Sequence, residues 1–373
     1  MSGIYIHIPF CERKCFYCDF YSVDNLELRE EFLKSLSKEL FLRSVIDDNK
    51  EMDTIYFGGG TPSVMDPQYI DGMLNDINYF YSIAPNAEIT IECNPNSLTL
   101  DKLKAYKKSG INRISLGVQS FIDSELFFLR RLHNSVDARK SIDNIFNSGF
   151  SNVSLDLIYS VPGTDLQSLD YNLSEIVKYK PQHISAYSLI YEGGTPLTND
   201  LESGVFEKLD ETLEADMYAY VMKYLQDHGY EHYEVSNYSL PEFKSRHNSN
   251  YWNHTEYLGF GPSAHSFLNG RRIANHSDIR KYFLDLNIGM LPIVSEEMLT
   301  DEMLFEEFVF LGLRSEGINL SKLNQQFNVD FVENNKNIVT SLINEGYIIQ
   351  SDDILRLTDK GFLVCDDICS KLM

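Results

Sequence analysis

Three cysteines fall within eight residues, in Cys11-Glu-Arg-Lys-Cys15-Phe-Tyr-Cys18. Soft thiolates at this spacing can wrap one face of a metal centre. A structural zinc ion takes a fourth Cys or His at a recognisable distance, and none lies nearby. An iron–sulfur cluster usually takes four thiolates, so three leave one iron open to a substrate or cofactor. Further along, Gly58-Gly59-Gly60-Thr61-Pro62 lets backbone groups approach a ligand closely. It matches neither a dinucleotide fingerprint nor a P-loop, because no Lys-Ser/Thr follows. Glu92 and Asp156 stand in apolar runs, where a carboxylate is costly unless paired or bound. Gln119 lies in Gly117-Val-Gln119-Ser-Phe and Arg131 in Leu129-Arg-Arg131-Leu-His. The planar fork of Arg131 suits a carboxylate, whether of a ligand or of a structural ion pair.

A second constellation is Arg246-His247-Asn-Ser-Asn-Tyr251-Trp252, followed by Gly259-Phe-Gly-Pro-Ser-Ala-His265. A neutral imidazole among aromatic rings can serve as an axial ligand to heme iron. A hydrogen-bonded structural histidine is the commoner use of such a residue. No Cys-x-x-Cys-His is present, which excludes c-type attachment. Cys365 and Cys369 stand four apart without a third ligand and read as packed thiols.

The elements that must position these groups alternate. Apolar, β-branched runs occur at Ile4–Ile8, Thr54–Phe57, Ile89–Glu92, Arg113–Gly117, Val153–Ile158 and His183–Leu189. Between them, helical spacing appears at Leu28–Leu42, Tyr69–Phe80, Leu100–Lys107 and Ala138–Phe146, and again at Thr212–Leu225. Six strand–helix units predict an α/β fold with a parallel sheet, a partial (β/α)6 barrel of the TIM-like kind, with active groups at the C-terminal strand ends. This barrel is expected over residues 1–235. An irregular connecting segment rich in Asn, His, Tyr and Gly follows over 236–292. A smaller, mainly helical, winged-helix-like domain is expected over 293–373, with helices at Glu297–Leu313, Ser321–Phe327 and Asn334–Glu345 before a hairpin of Tyr347–Gln350 and Ile354–Leu357.

Asp and Glu total 55 against 32 Lys and Arg, a net charge of −23 over 373 residues. Nucleic acid and anionic membrane surfaces both need a basic face, so neither is expected as a partner. No apolar run approaches the length of a membrane span, and the N-terminal residues carry no secretory pattern. A cytoplasmic location is expected, and there six cysteines point to metal or redox chemistry before disulfides.

Cys-x3-Cys-x2-Cys after a first strand, with Tyr5-Ile-His-Ile-Pro-Phe ahead and Asp19-Phe20 behind, resembles the radical S-adenosylmethionine (SAM) superfamily. Within it the chain is similar to the branch that holds oxygen-independent coproporphyrinogen III oxidase and HemW-type heme chaperones. The resemblance implies a [4Fe–4S] cluster on Cys11, Cys15 and Cys18, whose open iron is chelated by SAM and whose electron splits the sulfonium. It further implies SAM contacts from Tyr5, Tyr17, Gly59, Gly60, Thr61, Glu92, Gln119, Arg131 and Asp156. It associates the His247 segment with heme, with His254 and His265 as alternative ligands. The oxidase pattern has a further Cys two positions past the third ligand and a long extension before its first strand. Here Asp19-Phe20 and a strand beginning at Ile4 stand instead. The expected function is therefore a heme chaperone serving acceptor apoproteins, with a flavodoxin or ferredoxin as electron donor. The alternative is the oxidase, which decarboxylates propionate side chains.

Overall fold

The computed structural model describes residues 2–45 and 50–373. Six parallel strands lie in chain order: β1 (Gly3–Ile8), β2 (Glu51–Gly59), β3 (Ser82–Cys93), β4 (Arg113–Gln119), β5 (Val153–Tyr159) and β6 (His183–Ser188). Helices return the chain between them: α1 (Arg29–Ser44), α2 (Pro67–Phe80), α3 (Leu100–Ser109), then the pair α4 (Asp123–Phe128) and α5 (Ser135–Asn147), and α6 (Leu166–Lys178). After β6 come α7 (Pro196–Glu202) and α8 (Glu211–Asp227). Period-2 alternation assigns the two faces. Ile4, Ile6, Ile8, Ile55, Phe57, Leu116 and Leu155 bury against the helices. The other face carries Tyr5 opposite Tyr56, Glu92 opposite Ser115, and Asp156 opposite Gly117. The helices answer with single apolar stripes, as in α2, where Pro67 opens the first turn and Ile70, Met73, Leu74 and Ile77 are buried.

The segment read as irregular carries regular structure. After β7 (Glu231–Glu234) come β8 (Asn237–Ser239), α9 (Arg246–Trp252), β9 (Tyr257–Phe260), β10 (His265–Leu268), β11 (Arg271–Asn275) and α10 (Ile279–Asn287). With β12 (Ile293–Met298) the sheet reaches twelve strands, in the order β12-β11-β10-β9-β1-β2-β3-β4-β5-β6-β8-β7. Strand β9 pairs parallel to β1, Tyr5 opposite Gly259. These strands are short and interrupted by Gly, Asn and Pro, so their sequences lack a readable alternation.

The helix expected from Glu297 starts later, because Glu297 lies in β12 and Thr300 caps α11 (Asp301–Leu313) through its hydroxyl. Beyond it, β13 (Ile318–Asn319), α12 (Leu320–Phe327), α13 (Phe331–Asn334) and α14 (Lys336–Asn344) lead to β14 (Ile348–Ser351) and β15 (Ile354–Leu357), which form a three-stranded antiparallel sheet with β13. Two helices, α15 (Asp359–Phe362) and α16 (Cys365–Leu372), follow. This unit packs on the side of the barrel where the strands begin: Arg314 accepts from Val235 N–H at 3.0 Å, and Phe362 lies 4.4 Å from the His232 ring.

Candidate functional site

The loop after β1 brings the three cysteines to the mouth of the barrel, where the strands end. All three are free thiols, and all three line a cavity of about 540 Å3. Cys11 Sγ lies 3.4 Å from Thr61 Oγ1, and Arg131 Nη1 donates to Cys15 Sγ at 3.1 Å. The glycine turn makes room beside them. A Cβ on Gly60 would stand 2.7 Å from the Phe10 carbonyl oxygen and 3.1 Å from Cys11 Sγ, and Gly59 holds φ at +109° with the His7 ring 2.7 Å from its missing Cβ.

Arg131 turns into the cavity while Arg130 turns out. Its Nη2 donates to Asn94 Oδ1 at 2.6 Å and to the Gly117 carbonyl at 3.1 Å, and Nη1 also reaches Tyr17 OH at 3.3 Å. Nε stays buried without a partner, as does Gln119 Oε1, on a residue held at φ +67° where β4 slips register against β5. Buried polar atoms are nearly always satisfied, so these two mark where a ligand's polar groups fit. Glu92 accepts from Tyr56 OH at 2.8 Å. Burial pushes its carboxyl up to about 7, against the Tyr56 hydrogen bond and with help from Asp156. Asp156, 3.3 Å from the hydroxyls of Ser115 and Ser154, is pushed up to about 6 by burial, with the charge of Arg113 opposing.

Cys11, Cys15, Cys18, Tyr17, Gly59, Gly60, Thr61, Glu92, Gln119, Arg131 and Asp156 all line this one cavity. Tyr5 does not. It sits one layer below, stacked on Tyr56 with its hydroxyl 3.2 Å from His7 Nδ1. Sequence reasoning missed Asn94, which binds Arg131 and donates to Thr61 at 3.0 Å. It follows Glu92 by two residues, so strand period already placed both on one face. Tyr56 was missed likewise, two residues before the glycine turn.

His247 is elsewhere, at the opposite end of the barrel. Only 1% exposed, it opens α9 with Nδ1 2.8 Å from Thr54 Oγ1 and Nε2 2.8 Å from Tyr251 OH. Its ring stacks on Tyr56 at 5.0 Å, and its N–H donates to Glu88 at 3.1 Å. Burial, with the charge of Arg113, drives its pKa down to about 3. Both ring nitrogens are taken, and the imidazole packs into the barrel floor. His254 is engaged too, 3.0 Å from Glu307 and stacked on Phe267; His265 is exposed.

Residues 5–176 match the family model of the radical SAM superfamily, and residues 299–364 match the HemN C-terminal domain. The heme chaperone HemW of Lactococcus lactis is 34% identical over 100% of this chain and 97% of that protein. Its Bacillus subtilis counterpart is 32% identical over 99% and 98%. The chain belongs to the HemW family. Coproporphyrinogen III oxidase (HemN) from Escherichia coli shares the fold, with a TM-score of 0.86 over 100% of this chain and 89% of that one at 20% identity. A HemW-family chain is thus a radical SAM barrel carrying a HemN-type C-terminal unit, and the superfamily brings with it a [4Fe–4S] cluster and SAM. Among the described residues no helix is long and apolar enough to cross a membrane.

Proposed function

We propose that this protein is a heme chaperone: it takes up heme and passes it to apoproteins, on a barrel that also holds a [4Fe–4S] cluster and SAM. The observation that carries this is the full-length identity to heme chaperone HemW proteins, which spans both the barrel and the C-terminal unit. Cys11, Cys15 and Cys18 would hold the cluster, and the orphaned Gln119 and Arg131 atoms fit a polar cofactor beside it. When bound, the cluster supplies an electron and one open iron site to SAM. Glu92 would accept from the SAM ammonium and Asp156 from ribose hydroxyls, both carboxylates lining the cavity. Arg131 donates to Cys15 and Tyr17 and is held by Asn94, so it keeps the cysteine loop and the cavity wall together.

The three spans 1–235, 236–292 and 293–373 are read as barrel, floor and supporting unit, working in the cytoplasm with a small reduced redox protein as electron donor. Asp19 and the 66% exposed Phe20 stand at the mouth where the oxidase pattern has its extra Cys. The test is anaerobic. Reconstituted protein should bind added heme with a Soret band and release it to an apo-cytochrome, and should fail to decarboxylate coproporphyrinogen III with SAM and reductant present. Decarboxylation without heme binding would install the oxidase reading instead.

A further inference from the structure

A second hollow runs along the outer side of the cysteine loop, a groove of about 960 Å3 between α4, the turn from β5 into α6, and the chain after α7. Its wall is aromatic. Phe16 and Phe128 meet edge to face at 6.1 Å, and Phe128 meets Phe206 the same way at 5.1 Å. Phe127 stands at the rim, 85% exposed. Phe16 is buried beneath this wall, Phe128 and Phe206 are half-buried, and the open ring of Phe127 extends the apolar face to water; the volume lies in the range of small-molecule sites.

Two guanidiniums edge the groove. Arg130 lies 3.8 Å over the Phe16 ring, and Arg13 donates to the Arg130 carbonyl at 2.7 Å. Asp200 pairs with Arg130 at 3.2 Å, and Asp165 and Glu125 also reach the wall. Glu125 is buried and takes hydrogen bonds from Ser120 and Asn172, so it does not compete for a ligand. The cofactor cavity is more acidic: Lys14 and Arg131 there stand against Asp19, Glu92, Asp156 and Glu192, whereas in the groove Arg13, Arg130 and Arg131 balance Glu125, Asp165 and Asp200. On a chain of net charge −23, the groove is the hollow where a flat, apolar dianion meets both aromatic rings and exposed arginines.

We infer that this groove is the heme site, with the tetrapyrrole against Phe127, Phe128 and Phe206 and its two propionates on Arg13 and Arg130, whose guanidinium already covers the buried Phe16 ring. The inference rests on the heme-chaperone reading. Ring faces and edges give the plane its contacts, and forked guanidiniums suit carboxylates. No histidine, cysteine or methionine is among the described residues lining the groove. The axial positions of the iron are thereby left to solvent or to an acceptor's side chain, which suits a cargo that must be given away. Phe16 lies between Cys15 and Tyr17, so heme and cluster would share one wall.

Titration of the full, cluster-loaded chain with ferric heme, followed at the Soret band, tests this. Phe127→Asp and the double variant Arg13→Glu/Arg130→Glu should each raise Kd about tenfold or more, with cluster absorbance and SAM binding unchanged. Tyr79→Asp, on an equally exposed (84%) ring of α2 outside the groove, should leave Kd unaltered, which separates the site from general adsorption. Heme dimethyl ester, whose propionates are uncharged, should bind the unaltered protein about tenfold more weakly. Heme binding that is the same in both groove variants would overturn the site and leave the chaperone reading standing. No heme binding by the unaltered, cluster-loaded protein would instead overturn the reading on which the site rests.

Discussion

The mouth and the floor of this barrel use the same residue types to opposite ends. At the mouth, polar groups surround open space: Gln119 Oε1 and Arg131 Nε lack partners, and glycines hold the wall back from the cysteines. At the floor, His247 has a partner on each ring nitrogen and a tyrosine ring on its face. Thr90 Oγ1 and two nitrogens of the neighbouring Arg113, without partners, interrupt that pattern. A histidine among aromatics and a cysteine among charges look equally functional in a sequence. What separates them is whether folding leaves their reactive atoms a vacancy or fills it.

The largest expected effect would show whether the mouth is a metal centre at all. Replacing Cys11, Cys15 or Cys18 with Ala should take reconstituted protein from about four irons per chain to none, as read by iron and sulfide analysis. Cys365→Ala and Cys369→Ala, whose buried sulfurs lie 3.9 Å apart in α16, should leave the count unchanged. Iron retained in Cys15→Ala would break the contrast at its stronger end.

Next comes the floor. His247→Ala removes a buried ring and leaves Thr54 and Tyr251 short of a partner, which should cost about 2–4 kcal/mol of stability. Denaturant melts of the apoprotein would show it. The Soret maximum of added heme should not move, and a shifted maximum with unchanged stability would return His247 to the heme site.

The mouth was the more legible of the two. The cysteine spacing, the glycine turn and the inward carboxylates all lie within or beside strands whose alternation is plain, so chain order alone put them at one end. The six parallel strands were visible for the same reason, and their observed bounds differ from expectation chiefly at β2 and β3, which begin earlier through polar residues. The floor was not legible. The residues of α9 suggest a ligand, and only the packing of that helix beneath Tyr56 and Thr54, nearly two hundred residues earlier, shows what His247 does. Tyr5, assigned to SAM by resemblance, shares the inner face with Glu92 and lies beside it around Gly58.

Two smaller effects refine the account of the mouth. Arg131→Ala should keep the cluster yet weaken SAM binding by about 1–3 kcal/mol, the range for a lost charged hydrogen bond, by calorimetry on reconstituted protein. Unchanged affinity would confine Arg131 to holding the loop. The smallest effect is a pH dependence. With the Glu92 carboxyl near 7 in the cofactor-free protein, a cation must displace its proton below that pH. SAM affinity should therefore fall by up to about tenfold per unit as pH drops below 7, and level off above it. Asp156, near 6, adds a lower step. Glu92→Gln should erase the upper step, and an unaltered profile in that variant would move the ammonium to another acceptor.

The pairing of β9 with β1 sets an order of events during synthesis. The cysteine loop directly follows β1, and that strand gains one neighbour when β2 emerges. Its other edge waits for Tyr257–Phe260, some two hundred and fifty residues later. A growing chain therefore carries its cysteines beside an open strand edge from the time β2 emerges until β9 does, at about 5–20 residues per second. An iron–sulfur donor that acts in that interval meets an open strand edge, and one that acts later meets a closed wall.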